Sequence, residues 1–292
     1  MNTAQKLSTT ALIVIALLLA VDCVSPHLRG GEKASPPTES AYERVLNTDT
    51  LRCGYTDWPP HVLTKDPTTG KISGLLAETT EAVAAKLGLK VEWAENTGWG
   101  SLVESLRSHR IDAFCAGAWR SAEKGRYVAF GLPIFYSAVY PYVGANDYRF
   151  DQDLSIANNP NIRIAAMDGE VSDEVAKKHF PQAKEVSIPQ LGQITDILEN
   201  VATRKADIVF NEPSFVEEYM KANPNKLRRA QDKPFQFFPT SYCVEIHETQ
   251  LKEMLDSALV ELQNDGTIDQ IITRYSAAPQ TFLRVATPYA ER

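Results

Sequence analysis

The chain has 292 residues, enough for one large domain or for two lobes of ordinary size. Its composition, 43% hydrophobic and 23% charged, is typical of a globular protein that is soluble in water. The formal net charge is −7 and no block of basic residues occurs, so we expect no nucleic-acid partner, because phosphate binding needs a clustered positive face.

The N-terminal segment has the pattern of an export signal. Lys6 precedes eleven consecutive apolar residues, ALIVIALLLAV at 11–21. This run is short for a membrane span and has the length of the apolar core of a secretory signal. The Pro/Gly/Ser-rich stretch that follows argues against a buried helix. We therefore predict a signal peptide over 1–24, a linker over 25–42 and a periplasmic location.

The four cysteines carry different predictions. Cys23 is a candidate for a lipid anchor, although such signals have a small residue before the cysteine and Asp22 stands there. Cys53, Cys115 and Cys243 form no CxxC pair and no Cys/His cluster with metal spacing, so we expect neither a metal nor a cofactor. Cys53 and Cys115 each lie in a predicted strand, and an oxidising compartment permits a disulfide. Burial as small apolar residues is the alternative.

Strands and helices alternate along the chain. The predicted elements of the first half are the strand LRCGY, the helix LLAETTEAVAAKLG, the strand KVEW, the helix SLVESLRSH capped by Ser101 and the strand IDAFCAG. Those of the second half are the strand IRIAAMDG, the helix SDEVAKKHF capped by Ser172, the strand KEVSI, the helix LGQITDILENVATR, the strand KADIVFN and a helix with Pro213 in its first turn. Two closing helices follow, the second capped by Thr267. This alternation predicts two α/β lobes with mostly parallel sheets.

The ends of the predicted strands place the candidate ligand-binding residues. In open α/β sheets ligands gather at the carboxyl ends of strands, and a cleft between two lobes is a common binding site. The residues at these ends are Tyr55 to Trp58, Gly117 to Lys124, Asp168 to Ser172, and Asn211 with Glu212.

Six phrases of the sequence carry a family resemblance. They are LRCGYTDWPP, GKISGLLAETTEAVAAKLGLKVEW, WGSLVESLRSHRIDAFCAG, VAFGLPIFYS, KADIVFNEP and LVELQNDGTIDQIITRYS. In this order, over 41–275, the chain resembles the periplasmic solute-binding proteins of ABC importers, family 3, which mostly serves polar amino acids. The resemblance implies the type II periplasmic-binding fold, with an α/β lobe on each side of a ligand cleft.

The resemblance also implies the organisation and the partners. Lobe 1 is expected over 43–145 and 239–276, lobe 2 with its connecting segment over 146–238, and a C-terminal tail over 277–292. The expected partners are a small-molecule solute and an ABC permease in the inner membrane, and the protein is expected to be a monomer.

The resemblance assigns roles in the first lobe. The family's aromatic pair falls on Trp58 and Trp99, which we expect to face one another across the solute, and its small-residue turn falls on Gly117. Trp119 stands where relatives have a Ser or Thr that bonds the solute. Lys124 stands where they have an Arg that binds a carboxylate. Aromatic walls of this kind hold flat rings or alkylated ammonium groups, and core packing of one or two of these rings is the alternative.

In the second lobe the family's helix start falls on 169–172, and its ammonium-binding Asp falls on Asn211. Lysine lacks the planar fork of arginine and Asn211 brings no charge, so the usual binding of an α-amino acid is weakened at both ends. Glu170, Asp57 and Glu212 are candidates for the missing anion. Glu170 is the best placed, and relatives keep an acid at the position of Glu212 without using it on the solute. With Tyr55, these residues complete the predicted ligand-binding set.

We predict a binding protein that captures a small polar solute, an amino acid or an amino-acid-like amine or carboxylate. No GxSxG, Walker or glycine-rich dinucleotide motif occurs, so no catalytic residue is predicted. One alternative is an exported enzyme on the same fold, similar to cyclohexadienyl dehydratase, using cleft carboxylates and His61. The other is a ligand-sensing input protein with the same cleft.

Overall fold

The computed structural model describes residues 39–58, 64–276 and 281–285, and the described residues from Ser40 onward belong to one compact unit. The predicted signal peptide, Cys23 and His61 lie outside the described residues. The strands are β1 (Thr50–Tyr55), β2 (Thr64–Lys65), β3 (Ile72–Ser73), β4 (Lys90–Asn96), β5 (Ala113–Trp119), β6 (Val128–Phe130), β7 (Phe135–Gly144), β8 (Arg163–Met167), β9 (Lys184–Ile188), β10 (Ile208–Asn211), β11 (Leu227–Arg229) and β12 (Gln236–Glu245).

The helices are α1 (Ala41–Thr48), α2 (Leu75–Lys86), α3 (Leu102–Arg107), α4 (Val171–His179), α5 (Thr195–Ala202), α6 (Pro213–Ala222), α7 (Thr249–Asn264) and α8 (Thr267–Tyr275). Short 3-10 turns occur at Lys124–Arg126 and Leu154–Ala157. Within the described ranges, no helix is both long and apolar enough to cross a membrane.

The main sheet has two parallel halves joined by two long antiparallel strands. Its order is β4-β1-β5-β12-β7-β10-β8-β9, with β6 added to β12 and β11 added to β7. Strands β4, β1 and β5 run parallel, as do β10, β8 and β9, whereas β12 and β7 pair antiparallel with each other and with their neighbours. We call the half with β1, β4 and β5 the first lobe and the half with β8, β9 and β10 the second lobe. This arrangement confirms the predicted fold class.

The inner strands β1, β5, β8 and β10 are largely buried because helices pack against the sheet, whereas the edge strands β4 and β9 remain partly exposed. All seven residues of β5 are buried, which accounts for the unbroken apolar run of its sequence. In the first lobe Leu102 and Leu106 of α3 lie fully in the core. In the second lobe Phe180 stacks on Phe210 with ring centroids 4.8 Å apart. The buried apolar residues of both lobes belong to one continuous core, and the ends of the strands are left to form the site.

Two predicted helix caps are wrong. Helix α4 is capped by Glu170, whose extended backbone precedes the first turn and whose carboxylate accepts the N–H of Ser172 at 2.9 Å. Ser172 lies inside the helix, and its hydroxyl accepts the N–H of Met167 at 3.1 Å. Helix α8 is preceded by Gly266 in the left-handed region, so Thr267 is its first residue. In both helices a neighbour takes the non-helical backbone conformation that defines the cap.

A disulfide joins Cys53 of β1 to Cys115 of β5, with the two Cα atoms 5.5 Å apart. The two strands are neighbours in the sheet, which brings the cysteines together across 62 positions of sequence. Cys243 of β12 is buried and unpaired, and burial raises the pKa of its thiol to about 12. The sequence left open whether Cys53 and Cys115 form a disulfide or are buried as small apolar residues, and the structure shows the disulfide.

Candidate functional site

A cavity lies between the lobes, where the end of β5 faces the start of α4. Its walls are Trp58, Trp99, Gly117, Trp119 and Lys124 from the first lobe, and Gly169, Glu170 and Val171 from the second. It has room for about one water molecule, with about 10 Å³ for the centre of such a sphere. Six of the predicted ligand-binding residues thus surround one small space.

Three tryptophans line this space. The ring of Trp58 meets Trp99 edge to face, with centroids 5.5 Å apart, and meets Trp119 in the same manner at 5.7 Å. Trp119 stacks on Phe238 of β12 at 5.0 Å. We expected Trp58 and Trp99 to face each other across a solute, but in the structure they touch directly. Aromatic rings in direct contact prefer the edge-to-face arrangement, because the positive edge of one meets the negative face of the other.

The turn at Gly117 fixes the position of one tryptophan. The indole N–H of Trp99 donates to the carbonyl oxygen of Gly117 at 3.0 Å. Gly117 has φ +79°, and an added Cβ would come within 2.6 Å of Leu76 and 2.8 Å of Thr240. Both the backbone conformation and the space require glycine here. The backbone conformation and the lack of space therefore explain the small residue of the family motif at position 117.

Several buried polar atoms near this turn have no hydrogen-bond partner within the part of the chain that the structure describes. The indole N–H of Trp119 is one, and the hydroxyls of Thr240 and Ser241 on β12, which pair with the end of β5, are two others. Buried polar groups in native proteins are nearly always satisfied by protein, water or ligand. These three groups at the end of β5 are therefore available to form hydrogen bonds with a water molecule or a ligand.

Lys124 connects the two lobes. Its ammonium group donates to the carbonyl oxygen of Gly169 at 3.3 Å and forms an ion pair with Glu174 of α4. The side chain is only 16% exposed. A carboxylate that binds at Lys124 therefore has to compete with Glu174 for this charge.

A second contact between the lobes is made by Gln190, which follows β9. Its amide oxygen accepts the N–H of Gly100 at 3.0 Å, and its amide nitrogen donates to the hydroxyl of Ser101 at 2.8 Å. Ser101 occupies the N-cap position of α3, as predicted, but its hydroxyl makes no capping bond with the helix. The bond to Gln190 uses the hydroxyl instead. The sequence offered no signal for Gln190, because a glutamine in an aperiodic loop has no distinguishing pattern.

Glu170 and Asn211 form a buried polar network in the second lobe. The carboxylate of Glu170 accepts from the backbone and hydroxyl of Ser172, and from the amide nitrogen of Asn211 at 3.3 and 3.4 Å. Asn211 itself is fully buried, and its amide oxygen accepts the N–H of Glu212 at 2.8 Å. Burial raises the pKa of Glu170 to about 7, and its hydrogen bonds oppose this rise only in part.

Glu212 is the least satisfied group of the site. It is fully buried, and neither of its carboxylate oxygens has a hydrogen-bond partner among the described residues. The hydroxyl of Ser137 and the indole of Trp58 lie close enough to favour its charged form, but outside full hydrogen-bond geometry. Burial, together with the nearby charge of Glu170, raises the pKa of Glu212 to about 8.

Four of the sequence candidates are not among the residues that line the cavity, namely Tyr55, Asp57, Asn211 and Glu212. Tyr55 is buried, its hydroxyl accepts from the ammonium group of Lys65 at 3.0 Å, and its ring meets Trp93 edge-on at 6.1 Å. Asp57 accepts the N–H of Lys65 at 2.9 Å. Asn211 reaches the cavity only through Glu170. Among the described residues, no group of three or more His, Cys, Asp and Glu could hold a metal ion.

Comparison of the sequence with known protein families gives an assignment that is consistent with a cavity between two lobes. Residues 51–278 match the sequence profile of the bacterial extracellular solute-binding proteins, family 3. The chain belongs to this family. The family assignment makes the interlobe cavity of this solute-binding protein the place to look for a solute.

Individual relatives agree with the assignment. The chain is 28% identical over 264 residues to a probable amino-acid ABC transporter-binding protein of Haemophilus influenzae, covering 89% of this chain and 94% of that one. It is 26% identical over 180 residues to ABC transporter arginine-binding protein 1 of Escherichia coli, covering 60% and 70% of the two chains. These relatives are named as binding proteins.

Solved structures share the fold. An ancestral amino-acid-binding protein, described as a precursor of cyclohexadienyl dehydratase, superposes with a TM-score of 0.69 at 21% identity, covering 81% of this chain and 99% of that one. A mutant of the arginine-binding protein of T. maritima gives 0.68 at 22% identity, covering 82% and 100%. At this level of identity the likeness shows the fold alone.

Replacing Gln190 with Ala should weaken solute binding by about fivefold or more. The change removes two hydrogen bonds between the lobes, each worth about 0.5–1.5 kcal/mol, and only the closed arrangement makes them. Titration calorimetry with a bound solute would measure the loss. Gln193→Ala, in the same loop, is the control and should bind as the wild type does. Equal affinity of all three proteins would contradict a role for Gln190 in closure.

Proposed function

We propose that this protein is the periplasmic solute-binding component of an ABC importer. It captures a small polar solute, an amino acid or an amino-acid-like amine or carboxylate, in the interlobe cleft and delivers it to a permease in the inner membrane. The observation that carries the proposal is the cavity walled by both lobes, in a chain whose relatives are named as amino-acid-binding proteins.

Solute binding would be coupled to movement of the lobes. The cavity has room for about one water, which is too little for an amino acid. Entry therefore requires the lobes to separate or Trp58 to move. A solute that touches both lobes binds the closed arrangement better and shifts the population towards it. Trp119 would provide an aromatic surface, and Lys124 would hold a carboxylate in competition with Glu174.

The proposal includes the path to the periplasm and the arrangement of the chain. The segment 1–24 would be removed on export, with Cys23 as the alternative attachment point for a lipid. Lobe 1 would comprise 43–145 and 239–276, and lobe 2 would comprise 146–238. The mature protein would act as a monomer.

We propose binding without chemistry on the solute. The curated relatives reported above are named as binding proteins, and one structural neighbour is a binding protein described as the precursor of a dehydratase. The raised pKa values of Glu170 and Glu212 would also suit a general acid. The test of function therefore has to look for product as well as for binding.

A screen of amino acids, amines, betaines and small carboxylates should identify a solute that raises the melting temperature. A solute present at one hundred times its Kd adds about 2.7 kcal/mol to the free energy of unfolding. NMR spectra of the mixtures should show the solute unchanged after incubation. A converted solute would support the enzyme alternative, and a full panel without any binding would contradict the proposed function.

The same screen tests the aromatic wall. Trp119→Ala should lower the affinity about tenfold, through lost stacking and lost apolar contact area. Trp93→Ala removes a tryptophan of the same lobe that lies against Tyr55 rather than in the cavity. It should leave the affinity within about twofold. Equal losses in the two variants would show that the effect comes from destabilising the lobe.

A further inference from the structure

Lys124 is the only cationic side chain among the described residues that line the cavity. Two other basic residues of the turn after β5 have other partners. Arg120 donates to the carbonyl oxygen of Phe130 at 3.1 Å. The guanidinium of Arg126 lies 5.7 Å from the ring centroid of Tyr127. Within the described part of the cavity wall, a solute carboxylate therefore has Lys124 as its one positively charged partner.

Two of the three N–H donors of Lys124 are already used. Its ammonium group forms the ion pair with Glu174 and donates to the carbonyl oxygen of Gly169, and both of these residues belong to the second lobe. The side chains of Lys124 and Glu174 are 16% and 18% exposed, so water and salt screen their attraction only in part. One N–H remains for a solute. The arginine of the family resemblance would present five N–H groups in a planar fork, enough for two carboxylates.

Glu174 is well placed to keep the charge of Lys124. It lies in the first turn of α4, where the partial positive charge of the helix N-terminus stabilises an acidic side chain. The ion pair is neutral as a whole. A solute carboxylate at Lys124 adds a second negative charge beside Glu174, and like charges in a poorly hydrated site repel one another. This subsite therefore disfavours a solute carboxylate.

On the basis of the proposed function, we propose that Glu174 occupies the carboxylate subsite of the cleft and that the cleft prefers a solute without a carboxylate. The preferred class is an amine or a carboxamide that resembles an amino acid, with a neutral group beside Lys124. Glu174 is then the specificity-determining residue, because it competes with any solute carboxylate for this cation. The third N–H of Lys124 and the indole N–H of Trp119, which has no partner among the described residues, are donors for a neutral carbonyl oxygen.

The test compares each amino acid with its α-amide, which has the same shape but lacks the negative charge. The probes are L-arginine, L-tryptophan and L-leucine with their amides, together with the panel of solutes described above. At pH 6 the α-carboxyl group of each acid is ionised, and the α-amino groups of both members of a pair are protonated. Titration calorimetry should show at least one amide binding to the wild type tenfold or more tightly than its amino acid. The best binder of the whole panel should lack a carboxylate.

Variants locate the effect. Glu174→Gln keeps the side-chain size and frees the charge of Lys124, so the ratio of amino-acid affinity to amide affinity should rise at least tenfold. The lost contact between the lobes affects both members of a probe pair, and its effect cancels in this ratio. The double variant Lys124→Gln with Glu174→Gln should lose the gain, because the free cation is gone. Glu218→Gln, at an exposed position of α6, should keep the wild-type ratio. Unfolding curves establish that each variant is folded.

The outcomes separate the two proposals. If every amino acid that binds does so at least as tightly as its amide, the solute-binding function stands and the role of Glu174 is overturned. The same holds if Glu174→Gln leaves the affinity ratio unchanged, or if the best binder of the panel carries a carboxylate. If no probe and no member of the panel binds, the proposed function fails and the preference assigned to Glu174 fails with it.

Discussion

At pH 8 and without solute, the Glu212→Gln variant is expected to be more stable than the wild type by about 2–4 kcal/mol. At pH 5 the two proteins should differ by less than about 1 kcal/mol. The reason is that burial raises the pKa of Glu212 from an ordinary 4.5 to about 8. Between these values the folded protein binds a proton that the unfolded chain has lost.

The direction of the effect follows from this difference in bound protons. The free energy of unfolding falls as pH rises whenever the folded state holds more protons than the unfolded state. The wild type should therefore lose stability from about pH 4.5 to pH 8 and stay level above that. Glutamine cannot ionise, so the variant escapes this part of the loss. Glu170 keeps its own contribution in both proteins, over a window that ends near pH 7.

Urea denaturation at pH 5, 6, 7 and 8 would measure the difference. Glu218→Gln is the matched control, because this residue lies on α6, the helix that Glu212 precedes, and its side chain is 55% exposed. Its stability should follow the wild type at every pH. A constant offset between Glu212→Gln and the wild type across the whole range would contradict a buried, proton-binding Glu212.

Replacing Gly169 with Ala should lower solute affinity by more than about thirtyfold, or about 2 kcal/mol. Gly169 begins the turn into α4 with φ +76°, and an added Cβ would lie 2.9 Å from the backbone nitrogen of Gly100 in the first lobe. The obstructing atom belongs to the backbone, so it cannot move aside as a flexible side chain can. The methyl group should therefore hold the lobes apart.

Two measurements and one control separate this effect from simple strain. Small-angle scattering should show a larger radius of gyration for Gly169→Ala in the presence of solute, and calorimetry should show the weaker binding. Gly88 has a similar φ of +73°, but an added Cβ there meets nothing within 4 Å. Gly88→Ala should therefore lose stability by about 1 kcal/mol from the backbone strain alone. If both variants bind solute as the wild type does, the contact between Gly169 and Gly100 has no part in closure.

Both predictions concern features of the site that do not contribute to the stability of the solute-free protein. Glu212 makes the solute-free protein less stable at neutral pH, and the close approach at Gly169 leaves no space for a side chain. Neither feature helps a lobe to fold. Groups that reduce stability are commonly retained where binding needs them.

Much of the architecture could be predicted from local pattern. The alternation of strands and helices gave the parallel halves of the sheet, and the unbroken apolar run before Gly117 predicted the buried strand β5. The family motifs placed Trp58, Trp99, Trp119 and Lys124 at one cavity, because strand ends and the turns that follow them are set by nearby sequence. The sequence also permitted the disulfide between Cys53 and Cys115.

The remaining features depend on which residues meet across the lobes, and no local pattern encodes such a meeting. Gln190 and Ser101 bond although 89 positions separate them, and Lys124 meets Glu174 across the cleft. Glu212 stands beside Pro213 at the start of α6, and the packing of Trp58 and β7 around it shuts it away from water. Sequence by itself determined the family, the lobes and most of the cavity wall. Only the tertiary structure decided which charges stay paired and which are left buried, because burial and pairing depend on the distances between elements.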